Sequence, residues 1–298
     1  MALCRQTRLA ARSAIGYARV MRIEFWKMQG LGNDFFVFDA STLGAASIDA
    51  GKLRALADRH TGVGFDQALM LEAPRNAHSR VYYRVFNSDG GEVEQCGNGA
   101  RCIAALIYAR APQLGREIEM ESKGGIVHAQ VRPDGLVSVD MGVPDFDPRS
   151  IPLDAAAEAD SYTLEVRGEP IDFGAVSTGN PHAVLRVADA AAAPVAKLGP
   201  GIERHPRFPN GANVEFMQIV DRTHIRLRVF ERGAGETLAC GTGACAAVAV
   251  GRRQGLLEPE VRVDLPGGRA QVAWPGPGRP VWLTGPAVMV FSGTIDIQ

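Results

Sequence analysis

RVFNSDGGEVEQCGNGARC, residues 84–102, and RVFERGAGETLACGTGAC, residues 228–245, carry one pattern twice in a single chain. Set 144 positions apart, Arg84-Val85-Phe86 falls on Arg228-Val229-Phe230, Glu92 on Glu236, Cys96-Gly97 on Cys240-Gly241 and Gly99-Ala100 on Gly243-Ala244. A weaker echo lies at an offset of 147, where Gly64 and Met70 meet Gly211 and Met217 and Asn33 meets Asn180. An internal repeat decides the fold class, and this one predicts two similar α/β halves. One thiol from each half implies a site at their junction, with two sulfurs facing each other across it. Proton transfer on opposite faces of one carbon needs that arrangement.

Outward from these blocks, strand patterns dominate and a few helices interrupt them. Residues 23–25 and 35–38 flank the turn Gly30-Leu31-Gly32-Asn33-Asp34. Helical spacing marks 49–59, where Asp49 supplies an N-cap before Leu53, Leu56 and Ala57. Residues 81–86 alternate as a strand, and Pro133-Asp134-Gly135 joins 127–131 to 136–141 as a hairpin. GNGARCIAALIYA (97–109) and GTGACAAVAVG (241–251) are apolar nearly all round, which predicts buried helices. Strands are expected at 183–187, 214–220 and 225–230, a surface excursion or short helix at 190–200, and a strand at 281–291 interrupted by Gly285-Pro286. The expected architecture is mixed α/β (α+β), each half a mixed sheet wrapped around a central helix. The halves are 21–140, joined by the C-terminal strand 286–298, and 141–285.

A chain of 298 residues can bury a large core. Its net charge of -1 offers no electrostatic case for nucleic acid or an anionic membrane, and no apolar run approaches the ~20 residues that span a bilayer. Five cysteines, an odd number, without an evident secretory signal favour reduced thiols in the cytoplasm over a disulfide framework. Residues 1–20 hold four arginines and no acid. They read as an over-extended start ahead of Met21, with an organelle transit peptide as the alternative; Cys4 is not a site candidate.

Each repeated cysteine precedes a glycine-rich helix start, where orphan N–H groups and the helix dipole gather. A thiol there should titrate below its ordinary ~8.5, and a carboxylate should bind at the same place. Gly97, Gly99, Gly241 and Gly243 let backbone approach such a ligand. Abstracting an α-proton often recruits pyridoxal phosphate, yet the sequence shows no G-x-x-x-x-G-K-[ST] loop and no complete G-x-G-x-x-G after a strand. The alternative focuses N–H dipoles on the developing dianion, without cofactor or metal. Cys102 and Cys245 lie inside apolar helices and read as core. The C-x5-C and C-x4-C spacings lack the further Cys or His of a zinc site. Asn33, Gln67, Asn87, Asn98, Asn180 and Asn213 are polar residues in apolar or glycine-rich contexts. Each taken alone is a turn residue; His182 alone reads as a loop histidine, Glu231-Arg232 as a solvated pair, and His60 and His78 as surface or structural residues.

Together GLGNDFFVFD, TGVGFDQ, FNSDGGEVEQCGNGARC, STGNPHAV, NGANVEF and FERGAGETLACGTGACAA resemble the diaminopimelate epimerases, in family order across most of residues 21–250. The resemblance implies a pyridoxal-independent isomerase interconverting LL- and meso-diaminopimelate for lysine and peptidoglycan synthesis, a site in an interdomain cleft, and a homodimer. It makes Cys240 proton acceptor and Cys96 proton donor in one direction, with His182 and Glu231 tuning the thiols. Gly97, Asn98, Gly241 and Thr242 become the carboxylate cradle, and Asn33, Gln67, Asn87, Asn180, Asn213, Glu231 and Arg232 the substrate contacts. Arg232 suits the distal carboxylate through its fork and Glu231 an ammonium. The rivals are a proline or hydroxyproline racemase, where histidine is expected in place of Asn98, the cysteine-lacking isomerases of the same fold, and a non-enzymatic metal or redox protein.

Overall fold

The computed structural model describes residues 21–43 and 48–297; the leader 1–20 with Cys4 lies outside them. Strands β1 (Met21–Gly30) and β2 (Asn33–Asp39) form a hairpin on the two-residue turn Leu31-Gly32, both at positive φ. Such turns match the natural twist of the strands, and glycine takes the second position without strain. Helix α1 (Ala50–Ala57) follows, capped by the Asp49 carboxylate accepting from Lys52 N–H at 2.9 Å, a cap that contributes about 1 kcal/mol. Then come β3 (Gln67–Glu72), β4 (Tyr82–Asn87), β5 (Glu92–Val93), α2 (Gly97–Arg110), β6 (Glu117–Ser122), β7 (Gly125–Val131) and β8 (Val137–Asp140).

The chain then repeats the plan. It runs β9 (Tyr162–Val166), β10 (Glu169–Ser177), β11 (Pro181–Arg186), α3 (Val195–Glu203), β12 (Asn213–Asp221), β13 (His224–Glu231), β14 (Gly235–Thr237), α4 (Gly241–Arg253), β15 (Glu260–Leu265), β16 (Gly268–Ala273), β17 (Trp282–Gly285) and β18 (Val288–Ile297). Pairing confirms the duplication strand by strand. β2 lies parallel to β3, β3 antiparallel to β4, and β4 parallel to β6, which leads through β7 to β8. In the second set β11 lies parallel to β12, β12 antiparallel to β13, and β13 parallel to β15, which leads through β16 to β17. Antiparallel β8 and β17 join the sets. At that seam the equivalent hydroxyls of Ser138 and Thr284 share a buried hydrogen bond of 2.7 Å.

One apolar core contains both α2 and α4, which explains sequences with no polar face. Smaller cores lie beneath α1, with Phe36 stacked on Phe65 at 5.4 Å, and beneath α3, around Phe208 and Phe216. The same ion pair braces the hairpin before each cysteine: Arg84 to Glu92 through two bonds of 2.8 Å, and Arg228 to Glu236 at 2.6 and 3.0 Å.

One expectation about the strands needs correction. The stretch 281–291 is not one interrupted strand: β17 pairs with β8 and β16, whereas β18 leaves them to pair with β1. Proline 286 lacks the N–H that would continue the ladder, so the break becomes a change of partner. Of the two readings of 190–200, the structure has the short helix: α3 begins at Val195 and buries Val195, Gly199 and Ile202.

Candidate active site

The hairpin β4–β5 and the hairpin β13–β14 each end in a cysteine that stands as N-cap of a buried helix, Cys96 for α2 and Cys240 for α4. Both cysteines line one cleft of about 1520 Å³. The helix starts converge on the seam. A β-carbon at Gly97 would lie 2.8 Å from the Met141 sulfur, and one at Gly241 2.9 Å from Leu283 Cδ2. Glycine at these points therefore lets the N–H-rich turns pack closely against the seam, where any side chain would collide.

The amides assemble around these starts. Asn98 Nδ2 donates to Asn33 Oδ1 and to the Ala239 carbonyl, each at 3.3 Å, so one side chain spans both repeats. Asn33 Oδ1 lies 3.7 Å from the Cys96 sulfur. Gln67 donates to Asn87 Oδ1 at 2.9 Å, leaving its own carbonyl oxygen buried without a partner. Asn213 holds the backbone of Arg232 through a 2.9 Å bond to its N–H. Arg232 is exposed and its guanidinium donates to the Asn210 carbonyl. Thr242 Oγ1 sits 3.4 Å from the Cys240 sulfur, which also accepts the Gly243 N–H at 3.4 Å. Glu231 takes the Thr237 hydroxyl, and Asn180 lines the cleft. Of the site residues expected from sequence, the cleft gathers all but His182.

His182 is completely buried behind the cleft, its ring between Glu215 Oε1 at 2.7 Å and Asn180 Oδ1 at 2.8 Å. Both nitrogens are engaged, so neither is left to face a thiol directly. Sequence reading missed Glu215. Its signal was a carboxylate between Val214 and Phe216 in a strand buried on both faces, where only a paired charge is tolerated. It also missed the cluster at the cleft wall, where Asp34 receives Lys27 and Arg59, which hold its carboxyl at about 2.

The expected lowering of the thiols is overturned. Burial pushes Cys96 up to about 11, and the nearby Glu231 carboxylate adds to this against the lowering effect of the Gly99 and Asn98 N–H groups. Burial likewise raises Cys240 well above the ordinary thiol range, with Glu231 and Glu215 acting in the same direction. Desolvation of the thiolate outweighs the helix start here. Iodoacetamide alkylation of Cys96 in substrate-free protein is therefore expected to rise about tenfold per pH unit from 7 to 9.5, following the thiolate fraction. A plateau below pH 9 in peptide-mapped labelling would contradict the assignment. Among the described residues no group of three or more His, Cys, Asp or Glu side chains is placed to hold a metal ion, and Cys102 and Cys245 are fully buried.

The sequence profile described as diaminopimelate epimerase matches residues 25–146 and 174–290. A relative named diaminopimelate epimerase from Stutzerimonas stutzeri (strain A1501) is 54% identical over 277 residues, 93% of this chain and 100% of its own length. The chain belongs to the diaminopimelate epimerase family. A further member, from Thioalkalivibrio sulfidiphilus (strain HL-EbGR7), is 56% identical over 279 residues, again 93% of this chain and all of its own. The fold extends beyond the family. A hydroxyproline epimerase from Agrobacterium vitis, solved with bound trans-4-hydroxy-L-proline, superposes with a TM-score of 0.66 at 16% identity, covering 93% of each chain. That likeness concerns the fold alone, and Asn98 stands where a racemase of the proline type is expected to carry histidine.

Proposed function

We infer that this chain interconverts LL- and meso-diaminopimelate by passing the α-proton between Cys96 and Cys240. The observation that carries the reading is the meeting of two cysteine-capped helix starts in one cleft. In one direction the Cys240 thiolate takes the proton from the α-carbon, leaving the electron pair delocalised into the carboxylate. The Cys96 thiol then delivers its proton to the opposite face, and the sulfurs exchange roles in reverse. N–H groups at Gly97-Asn98 and Gly241-Thr242 receive the carboxylate as its charge grows, in a site already dry enough to raise both thiols. Glu231 accepts an ammonium, and that pairing removes a charge which holds both thiols up, so substrate binding itself favours a thiolate. Arg232, exposed at the rim, takes the distal carboxylate, while Asn33, Gln67, Asn87, Asn180 and Asn213 fix the remaining polar groups. No pyridoxal phosphate or metal has a step in this scheme.

The test is incubation of LL-diaminopimelate with reduced protein in deuterated water. Meso product carrying one α-deuterium is expected, at a rate unchanged by dialysis against a carbonyl reagent and chelator. A strict requirement for pyridoxal phosphate or a metal would overturn the reading. The working unit is a homodimer in the cytoplasm, where the thiols stay reduced. Its support is β18, an edge strand whose Val288, Met289, Val290 and Phe291 stand exposed. Such an edge is a hazard unless a second surface covers it. Sedimentation equilibrium should give twice the 31.8 kDa chain mass, and a monomer at micromolar concentration would refute the dimer.

A further inference from the structure

Arg101 interrupts the repeat. In the second cysteine block Ala244 is followed directly by Cys245, whereas in the first an arginine stands between Ala100 and Cys102. That arginine is completely buried in α2. Among the described residues it has no carboxylate partner, although burying an unpaired charge is costly. The side chain stays charged, since guanidinium is not deprotonated in proteins. The titratable groups that act on it are the thiols of Cys102, Cys96 and Cys245.

Its surroundings are shaped to admit it. A β-carbon at Gly30 would lie 3.2 Å from Nη2 and one at Gly285 3.3 Å from Cζ, so any side chain at either position would press on the guanidinium. Nε donates to the Pro286 carbonyl at 3.5 Å, at the crossing from β17 to β18. Nη2 donates to Asn98 Oδ1 at 2.9 Å. That bond decides the orientation of the Asn98 amide. With Oδ1 occupied by a donor, Nδ2 must face Asn33 and the Ala239 carbonyl, immediately before Cys240.

We propose that Arg101 is a positioning residue for the epimerisation. Through Asn98 it locks the Cys96 helix start in one repeat against the Cys240 turn in the other, so that both sulfurs bear on one α-carbon. The proposal rests on the reading of Cys96 and Cys240 as acid and base. A misplacement of about 1 Å at such a site lowers turnover by about 10²-fold. Arg101→Met fills the slot without the fork and relieves a buried charge, so it is expected to retain the fold while kcat falls by about 10²-fold and KM moves less than threefold.

The deciding experiment is a double-mutant cycle on kcat with Arg101→Met, Asn98→Ala and the pair, alongside Arg101→Lys, thermal unfolding and Cys96→Ala. If Arg101 acts through Asn98, the double variant is no slower than threefold below the worse single variant. Lysine restores less than tenfold, because one ammonium cannot hold Asn98 and Pro286 together. Additive losses, near-complete rescue by lysine, or Arg101→Met within threefold of the parent would each overturn the proposal. Should Arg101→Met not fold, the cycle is run with Arg101→Lys, where additivity has the same meaning. Full activity in Cys96→Ala would instead overturn the two-thiol reading, independently of the cycle.

Discussion

Replacing Cys96 or Cys240 by alanine is expected to lower epimerisation of diaminopimelate by at least about 10²–10⁴-fold, the range of a lost acid or base. The two losses should be similar in size, because a missing donor stalls the carbanion as surely as a missing acceptor prevents its formation. Serine should help little at either position, since its hydroxyl is far less acidic than a thiol. Cys102→Ala and Cys245→Ala act as controls. Both side chains are fully buried in the helices, so each change should leave most turnover and remove about 1 kcal/mol of stability. Steady-state rates for the four variants decide the matter. Activity retained in Cys96→Ala and Cys240→Ala but lost in the controls would reverse the assignment.

The second large effect is on stability. His182 and Glu215 hydrogen-bond to each other at 2.7 Å with neither side chain exposed to solvent. Removing one partner strands the other, which typically costs 3–5 kcal/mol, a large share of the 5–15 kcal/mol that holds a protein folded. Urea unfolding at neutral pH should show losses on that scale for both His182→Ala and Glu215→Ala. Glu215→Gln, which keeps an acceptor for the ring without the charge, should lose less. A change below about 1 kcal/mol in both alanine variants would mean that the pair barely exceeds its own desolvation.

The duplication and both catalytic candidates were legible in the chain because glycine, cysteine and the Arg–Glu brace recur at fixed spacing. Their backbone consequences, a hairpin and then a buried helix start, are local. What stayed hidden was non-local. Glu215 and Arg101 are charges inside apolar segments, and their partners lie 33 residues away at His182 and 185 residues away at Pro286. The titration of the thiols failed for the same reason: the helix start is written beside each cysteine, but the burial that outweighs it is supplied by the whole fold. Likewise Gly285-Pro286 reads as a break, while the new partner β1 is remote in sequence.

The pairing of β1 with β18 imposes an order on how the protein comes into being. Arg22 meets Asp296 across 274 positions, so the opening strand must wait for nearly the whole polypeptide to leave the ribosome before its second edge is covered. Contacts of such separation are slow to form and leave a strand edge available to other chains meanwhile. The first repeat, although synthesised early, is therefore completed last.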